Sequence, residues 1–255
     1  MSGRREFPHC QDEPLAVRAT PADWALARAE LSARGTVVLY ARPSDWAAEP
    51  DDERPVRERL GQDWSRYLEL AHPEVALRFL FSRRLLTSVG AEVVGGSPEA
   101  LEVRYGPTGR PYLRGREDID ISVSHTDGLT VVGMTTRGLV GVDVRRADHP
   151  LDESRLASHV CTPYELMSLT ALPAAERNAT LLQLLTLKEA YRKAVGQSAR
   201  FRFNEFGFGP DGEPVRMHRP DGTSGPGTEW AFRSFLVDGP HRISVAVYDA
   251  GLTAS

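Results

Sequence analysis

The sequence predicts an α+β fold of two pseudo-symmetric lobes, each a small antiparallel sheet packed with a long helix. Three observations predict it. Stretches with apolar residues at helical spacing alternate with short runs rich in β-branched residues. Two of the helices end in the same dipeptide, Val89-Gly90 and Val195-Gly196. Each is then followed by strands and a hairpin whose second strand is strongly apolar. Aligning the glycines sets FSRRLLTSVG against LKEAYRKAVG, which reads as an internal duplication with a site where the halves meet. The expected lobes are residues 1–136, after a ragged lead-in over 1–20, and residues 137–255.

Each element has a local reason. A short helix is expected near Trp24–Leu31, then a strand at Thr36–Ala41 (TVVLYA) and an acidic, proline-bearing loop from Pro43 to Pro55. Helices follow at Val56–Ala71 and Glu74–Val89, the second closed by Gly90 as its C-cap. A turn at Gly95–Pro98 leads to a strand at Leu101–Tyr105. Ile119, Ile121 and Val123 alternate with Asp120, Ser122 and Ser124, the pattern of a half-buried strand ending at His125. HTDG turns it into LTVVGMTT, and LVGVDV is the next strand. Thr162-Pro163 reads as an N-cap with proline at the first helical position. A long helix spans about Ala174–Val195 and stops at Gly196. Strands at Phe203–Phe208, Trp230–Val237 and His241–Tyr248 complete the chain, with a Gly/Pro-rich loop around Pro220–Gly227.

Composition narrows the function. Hydrophobic residues make up 41% of 255 and charged residues 26%, the mixture of a globular chain and not of a disordered one. No apolar run approaches the roughly 20 residues of a membrane span, and MSGRREFPHC does not read as a secretory signal. Cys10 and Cys161 are too few for a disulfide framework or a structural zinc site. A soluble, cytoplasmic, monomeric protein with no membrane partner is expected. The net charge of −4 and pI near 6.0 argue against a nucleic-acid coat. Of 31 basic residues, 29 are Arg and only two are Lys, and both lysines, Lys188 and Lys193, fall in LLQLLTLKEAYRKAVG. Arg replaces Lys wherever a plain cation suffices, so two neighbouring survivors point to chemistry that needs a compact ammonium.

Three constellations carry that chemistry. On the long helix, Lys188 lies within the stripe of Leu184, Leu185, Tyr191 and Val195, so it must snorkel or meet a buried anion. Glu189 and Lys193 form an i,i+4 pair on the adjoining face. In LVGVDV, Gly141, Asp143 and Arg145 share one strand face, and Gly141 leaves room for a ligand beside the acid. In ISVSHT, His125 ends the buried face beside Ser124, and GRP at Gly109–Pro111 brings Arg110 towards the same edge.

Together these stretches resemble the 4′-phosphopantetheinyl transferases, and more narrowly their two-lobed, surfactin-synthetase-activating branch. The matching residues are GRP at 109–111, ISVSHT at 121–126, VGVDV at 140–144, TPYE at 162–165 and LKEAYRKAVG at 187–196. The resemblance implies transfer of phosphopantetheine from coenzyme A to a serine of an apo acyl or peptidyl carrier protein, with release of 3′,5′-ADP. It implies Mg²⁺, or Mn²⁺, held by Asp143 and Glu189, with Glu165 as a further ligand or second acid. It also implies Glu189 as the base for the serine, directly or through a water, and Lys193 as the group that protonates or stabilises the leaving phosphate. Lys188, His125 and Arg110 would clamp the phosphates, flanked by Pro111 and Ser124, with Arg78 and Arg66 from the first lobe. Coenzyme A would lie in the cleft between the lobes.

The chain departs from the family at two places. Arg145 stands where a second acid is common, which implies a site that binds Mg²⁺ more weakly or fills the gap with water, or else an Arg145 that contacts a phosphate or pairs with Glu165. Leu185 stands where Trp is common. Two rival readings follow from the same residues: a metal-dependent phosphodiesterase or nuclease built on Asp143, Glu165 and Glu189, and a non-catalytic binder of coenzyme A or a carrier.

Overall fold

In the computed structural model, which describes residues 12–47, 53–95, 101–196, 201–209, 217–223, 225 and 229–249, side-chain caps open three of the helices. The chain divides into two compact units, Met1–Gly138 and Leu139–Ser255. The first begins with β1 (Leu15–Ala16) and α1 (Pro21–Arg34). Thr20 caps α1: its hydroxyl accepts the Asp23 amide while the Asp23 carboxylate accepts the Thr20 amide, and Pro21 sits where no amide is needed. Gly35, at φ 76°, ends the helix in the left-handed region and releases the chain into β2 (Thr36–Ala41).

Next come α2 (Glu53–Leu60), α3 (Trp64–Leu68) and α4 (Pro73–Val89), then β3 (Val103–Tyr105), β4 (Pro111–Leu113), β5 (Asp120–Thr126) and β6 (Leu129–Thr135). The strands form a six-stranded sheet in the order β1-β2-β6-β5-β4-β3, antiparallel except for the parallel β1–β2 pair. Leu85, Leu86 and Val89 of α4 and Trp24 of α1 join Leu39, Ile121 and Val132 in its core. The sheet is therefore larger than expected, and the lead-in supplies one of its edges.

Two local expectations fail for stated reasons. The helix over 56–71 is broken by a 3₁₀ turn at Gly61–Asp63, where Gly61 has φ 51° and Asp63 turns inward to accept from Arg83 and Tyr105. Gly90 does not cap α4. Its φ is −56°, the helix continues as a wide turn through Val94, and Gly95 at φ 91° ends it. Gly90 serves packing instead, because a Cβ there would lie 2.8 Å from Leu101 Cδ1.

The second unit holds nearly all of β7 (Gly138–Arg146), followed by α5 (Glu153–Val160), α6 (Pro163–Ala171) and α7 (Ala174–Val195). Short strands β8 (Gly207–Phe208) and β9 (Met217–His218) pair with each other, and β10 (Trp230–Val237) and β11 (His241–Asp249) form an antiparallel hairpin. Strand β11 lies between β10 and β7. Helix α7 is buried on most sides, with Leu181, Leu184, Leu185, Leu187, Ala190 and Ala194 all in the core. Each buried leucine contributes about 1.5–3 kcal/mol, so the unit's stability concentrates on this helix. Gly196 does cap α7, at φ 72°, so the two Val-Gly ends are different devices.

Of the expected 203–208 strand only Gly207–Phe208 pairs with a neighbouring strand. Phe203–Glu205 is a 3₁₀ turn because the Phe203 carbonyl faces inward to accept from Lys188 at 2.8 Å. Cys10 and parts of the expected turns at Gly95–Pro98 and Pro220–Gly227 lie outside the described residues. Among the described residues no helix is long and apolar enough to cross a membrane.

Candidate active site

Strand β7 and helix α7 approach unusually closely, and Gly141 is the reason. A Cβ at this position would lie 1.9 Å from the Ala190 carbonyl oxygen and 2.6 Å from the Ala194 amide, both backbone atoms of α7. The glycine therefore makes room for the helix, whereas the strand pattern predicts room for a ligand. Gly141→Ala is expected to force strand and helix apart and to cost about 1–3 kcal/mol or more. A urea titration checks this, and a midpoint equal to wild type would refute it.

That approach carries charged groups of α7 to the end of β7. Strand alternation puts Asp143 and Arg145 on the face of Gly141. Lys193 Nζ donates to Asp143 Oδ1 at 2.8 Å and to the Val142 carbonyl at 3.0 Å. Arg145 Nε lies 3.4 Å from Asp143 Oδ2, and its Nη2 lies 3.9 Å from Glu189 Oε1. Arg192 donates to Glu189 Oε2 at 2.8 Å. The expected Glu189–Lys193 pair is thus replaced. Lys193 goes to the strand acid, and Glu189 takes Arg192, one residue nearer on the helix. Sequence reasoning passed over Arg192, although its i,i+3 spacing from Glu189 was the available signal. Asp143 is buried, whereas Arg145 is 42% exposed, so the cluster opens outward on the arginine side.

Two candidate residues leave the site altogether. Lys188 and Glu165 are both buried, with Lys188 Nζ 2.6 Å from Glu165 Oε2. The ammonium also donates to the carbonyls of Val160 at 2.6 Å and Phe203 at 2.8 Å, which uses all three of its protons. Glu165 in turn accepts the amides of Thr162 at 2.8 Å and Phe208 at 2.7 Å, closing the capping box that starts α6. Burial pushes the Lys188 ammonium below the ordinary lysine range, and Glu165 pulls it back up. Lys188 has therefore met its buried anion and is not presented to a phosphate. Glu165 can be neither a solvent-facing metal ligand nor Arg145's partner, because its oxygens are spoken for within the core. A three-carboxylate phosphodiesterase centre loses its third member in the same way. Nearby Cys161 is structural, its thiol pushed up to about 11 by burial.

The remaining candidates belong to the first unit. Arg78 on α4 pairs with Asp127 in the turn after β5, two residues beyond the exposed His125. Ser124 is buried beside it. Arg110 instead grips Asp120 with two nitrogens, at the far end of β5. Five residues of strand, about 16 Å, separate Asp120 from His125. Arg110 and His125 therefore do not share an edge. Pro111 opens β4 opposite Tyr105, and Arg66 lies over the Phe79 ring at 5.3 Å.

Asp143 and Glu189 both face the Arg145 guanidinium, which makes them the two carboxylates that would hold a divalent ion here. Their oxygens are the hard donors Mg²⁺ takes. Among the described residues no three His, Cys, Asp or Glu gather as a metal cage, so the other positions would fall to water and ligand oxygens.

Residues 139–246, which hold this cluster, match the sequence profile described as the 4′-phosphopantetheinyl transferase superfamily. The chain is 30% identical over 146 residues to a Synechocystis sp. protein provisionally named a 4′-phosphopantetheinyl transferase, covering 56% of this chain and 59% of that one. It is 27% identical over 149 residues to the 4′-phosphopantetheinyl transferase HetI of Nostoc sp., covering 57% and 62%. To the L-aminoadipate-semialdehyde dehydrogenase-phosphopantetheinyl transferase of Eremothecium gossypii it is 33% identical over 123 residues, covering 46% and 45%. The matched stretches thus span less than two thirds of each relative's length.

Proposed function

We propose that the chain, whose residues 139–246 match the 4′-phosphopantetheinyl transferase superfamily, transfers the 4′-phosphopantetheine arm of coenzyme A to a serine of an apo carrier protein. The observation that carries this reading is the convergence of Asp143, Glu189 and Lys193 where α7 meets β7. In the reaction the serine oxygen bonds to the phosphorus that bears pantetheine, the diphosphate bridge breaks, and 3′,5′-ADP leaves.

Each residue has a task in that step. Glu189 accepts the serine proton, directly or through a water. Lys193 meets the charge that grows on the leaving phosphate, either as proton donor or as a point cation. Asp143 and Glu189 hold the divalent ion, Mg²⁺ or Mn²⁺, which when bound neutralises the diphosphate. Asp143 also holds Lys193 in position before any ligand arrives. In the first unit, Arg78 and His125 are the groups offered to the nucleotide phosphates, flanked by Ser124. The family relation supports a carrier domain as the acceptor. The scarcity of lysine supports a task for Lys193 that arginine does not perform.

The test is to mix the full chain with coenzyme A, Mg²⁺ and an apo carrier protein and to weigh the carrier intact. A gain of about 340 Da on the carrier serine is expected, the mass of the transferred phosphopantetheinyl group. No gain across several acyl and peptidyl carriers would overturn the proposal and leave a binder without turnover.

A further inference from the structure

The charge balance of the cluster is unusual for a cation site. Asp143 and Glu189 bring two negative charges, whereas Lys193, Arg145 and Arg192 bring three positive ones onto the same two carboxylates. Lys193 holds Asp143 Oδ1 and Arg145 faces Asp143 Oδ2, so both oxygens of the buried acid have a cation within 3.4 Å. Arg192 and Arg145 divide the oxygens of Glu189 in the same way. A free divalent ion entering here would have to displace cations that already neutralise its ligands. It would also meet their repulsion at short range, where unit charges interact strongly. A dianionic ligand meets the opposite situation, a local excess of positive charge.

Arg145 is the group able to respond. It is the most exposed of these side chains, at 42%, and its two contacts of 3.4 and 3.9 Å are looser than the 2.8 Å bonds of Lys193 and Arg192. Resting on the proposed coenzyme A chemistry, we infer that Arg145 is a resident counter-cation that makes metal binding depend on the diphosphate. The carboxylates accept a divalent ion only together with a diphosphate ester, whose oxygens draw Arg145 off Asp143 and Glu189 and then pair with it. Arg145 thus couples the two ligands by exchanging the carboxylates for the diphosphate. Since coupling between ligands is reciprocal, the diphosphate must also bind more tightly when the metal is present.

The experiment measures metal binding without turnover. Free Mn²⁺ is followed by its electron paramagnetic resonance signal in the presence of the full chain, wild type, Arg145→Gln or Arg145→Glu, with circular dichroism checking the fold. Coenzyme A binding is measured by calorimetry with and without Mn²⁺. Wild type is expected to bind Mn²⁺ alone only weakly. Arg145→Glu should bind it at least about tenfold more tightly, with Arg145→Gln in between. Mn²⁺ should raise coenzyme A affinity in wild type more than in either variant. If wild type and a folded variant bind Mn²⁺ alone equally well, or if Mn²⁺ strengthens coenzyme A binding by the same factor in both, the inference fails. The intact-mass assay separates this outcome from the parent reading. A carrier that gains phosphopantetheine while Mn²⁺ affinity ignores residue 145 sinks only the counter-cation role. No carrier gain alongside the expected Mn²⁺ series sinks the transferase reading and leaves the charge coupling standing.

Discussion

Glu189→Gln is expected to slow phosphopantetheine transfer at least about a hundredfold while the protein melts at the wild-type temperature. The rate falls because the amide can neither take the serine proton nor offer a charged oxygen to the divalent ion, and a positioned base alone contributes about 10²–10⁴-fold. The fold survives because the partners of Glu189, Arg192 and Arg145, are partly exposed, at 26% and 42%. Ion pairs of that kind contribute about 0–1 kcal/mol. Initial rates of carrier conversion, read by intact mass beside a thermal melt, check both halves. Unchanged turnover would remove Glu189 from the reaction, and a large fall in melting temperature would make it a structural residue instead.

Lys188→Ala should have the opposite signature. The substitution leaves the Glu165 carboxylate in the core without its cation and leaves the Val160 and Phe203 carbonyls without a donor. Breaking one member of a buried pair costs about 3–5 kcal/mol, which for a chain of this size lowers the melting temperature by about 10 °C. Lys188→Met with Glu165→Gln should recover part of that loss, because no net charge then stays buried and the glutamine carbonyl still accepts an amide. A double-mutant cycle in urea measures the coupling. Loss of coenzyme A affinity in a Lys188 variant of unchanged stability would return this lysine to the cofactor.

These paired expectations show where the sequence was legible. Strand periods, caps and the Val-Gly stop of α7 are local, so Thr162-Pro163, Gly196 and the Trp230–Val237 strand stand as read. The requirement that Lys188 snorkel or meet a buried anion was also local, because an ammonium in an apolar stripe has no third choice. What it met was not legible. Glu165 lies 23 residues upstream, and only the packing of α6 and the 203–205 turn against α7 brings it to the ammonium. The exchange of partners between Glu189 and Lys193 has the same origin. Helical spacing allows the i,i+4 pair, but the close approach that Gly141 permits sets Asp143 within 2.8 Å of Lys193 and leaves Glu189 to Arg192 and Arg145.

The sequence alone determined the α+β class and the order of helices and strands around the cluster, because these follow from periodicity and residue type along the chain; the roles proposed for Asp143, Glu189 and Lys193 came from the resemblance of their motifs to a family. Tertiary structure alone decided which charges neutralise one another. Pair choice depends on distances of a few ångströms between segments far apart in the chain, and those distances seat Glu165 on Lys188 and Asp143 on Lys193.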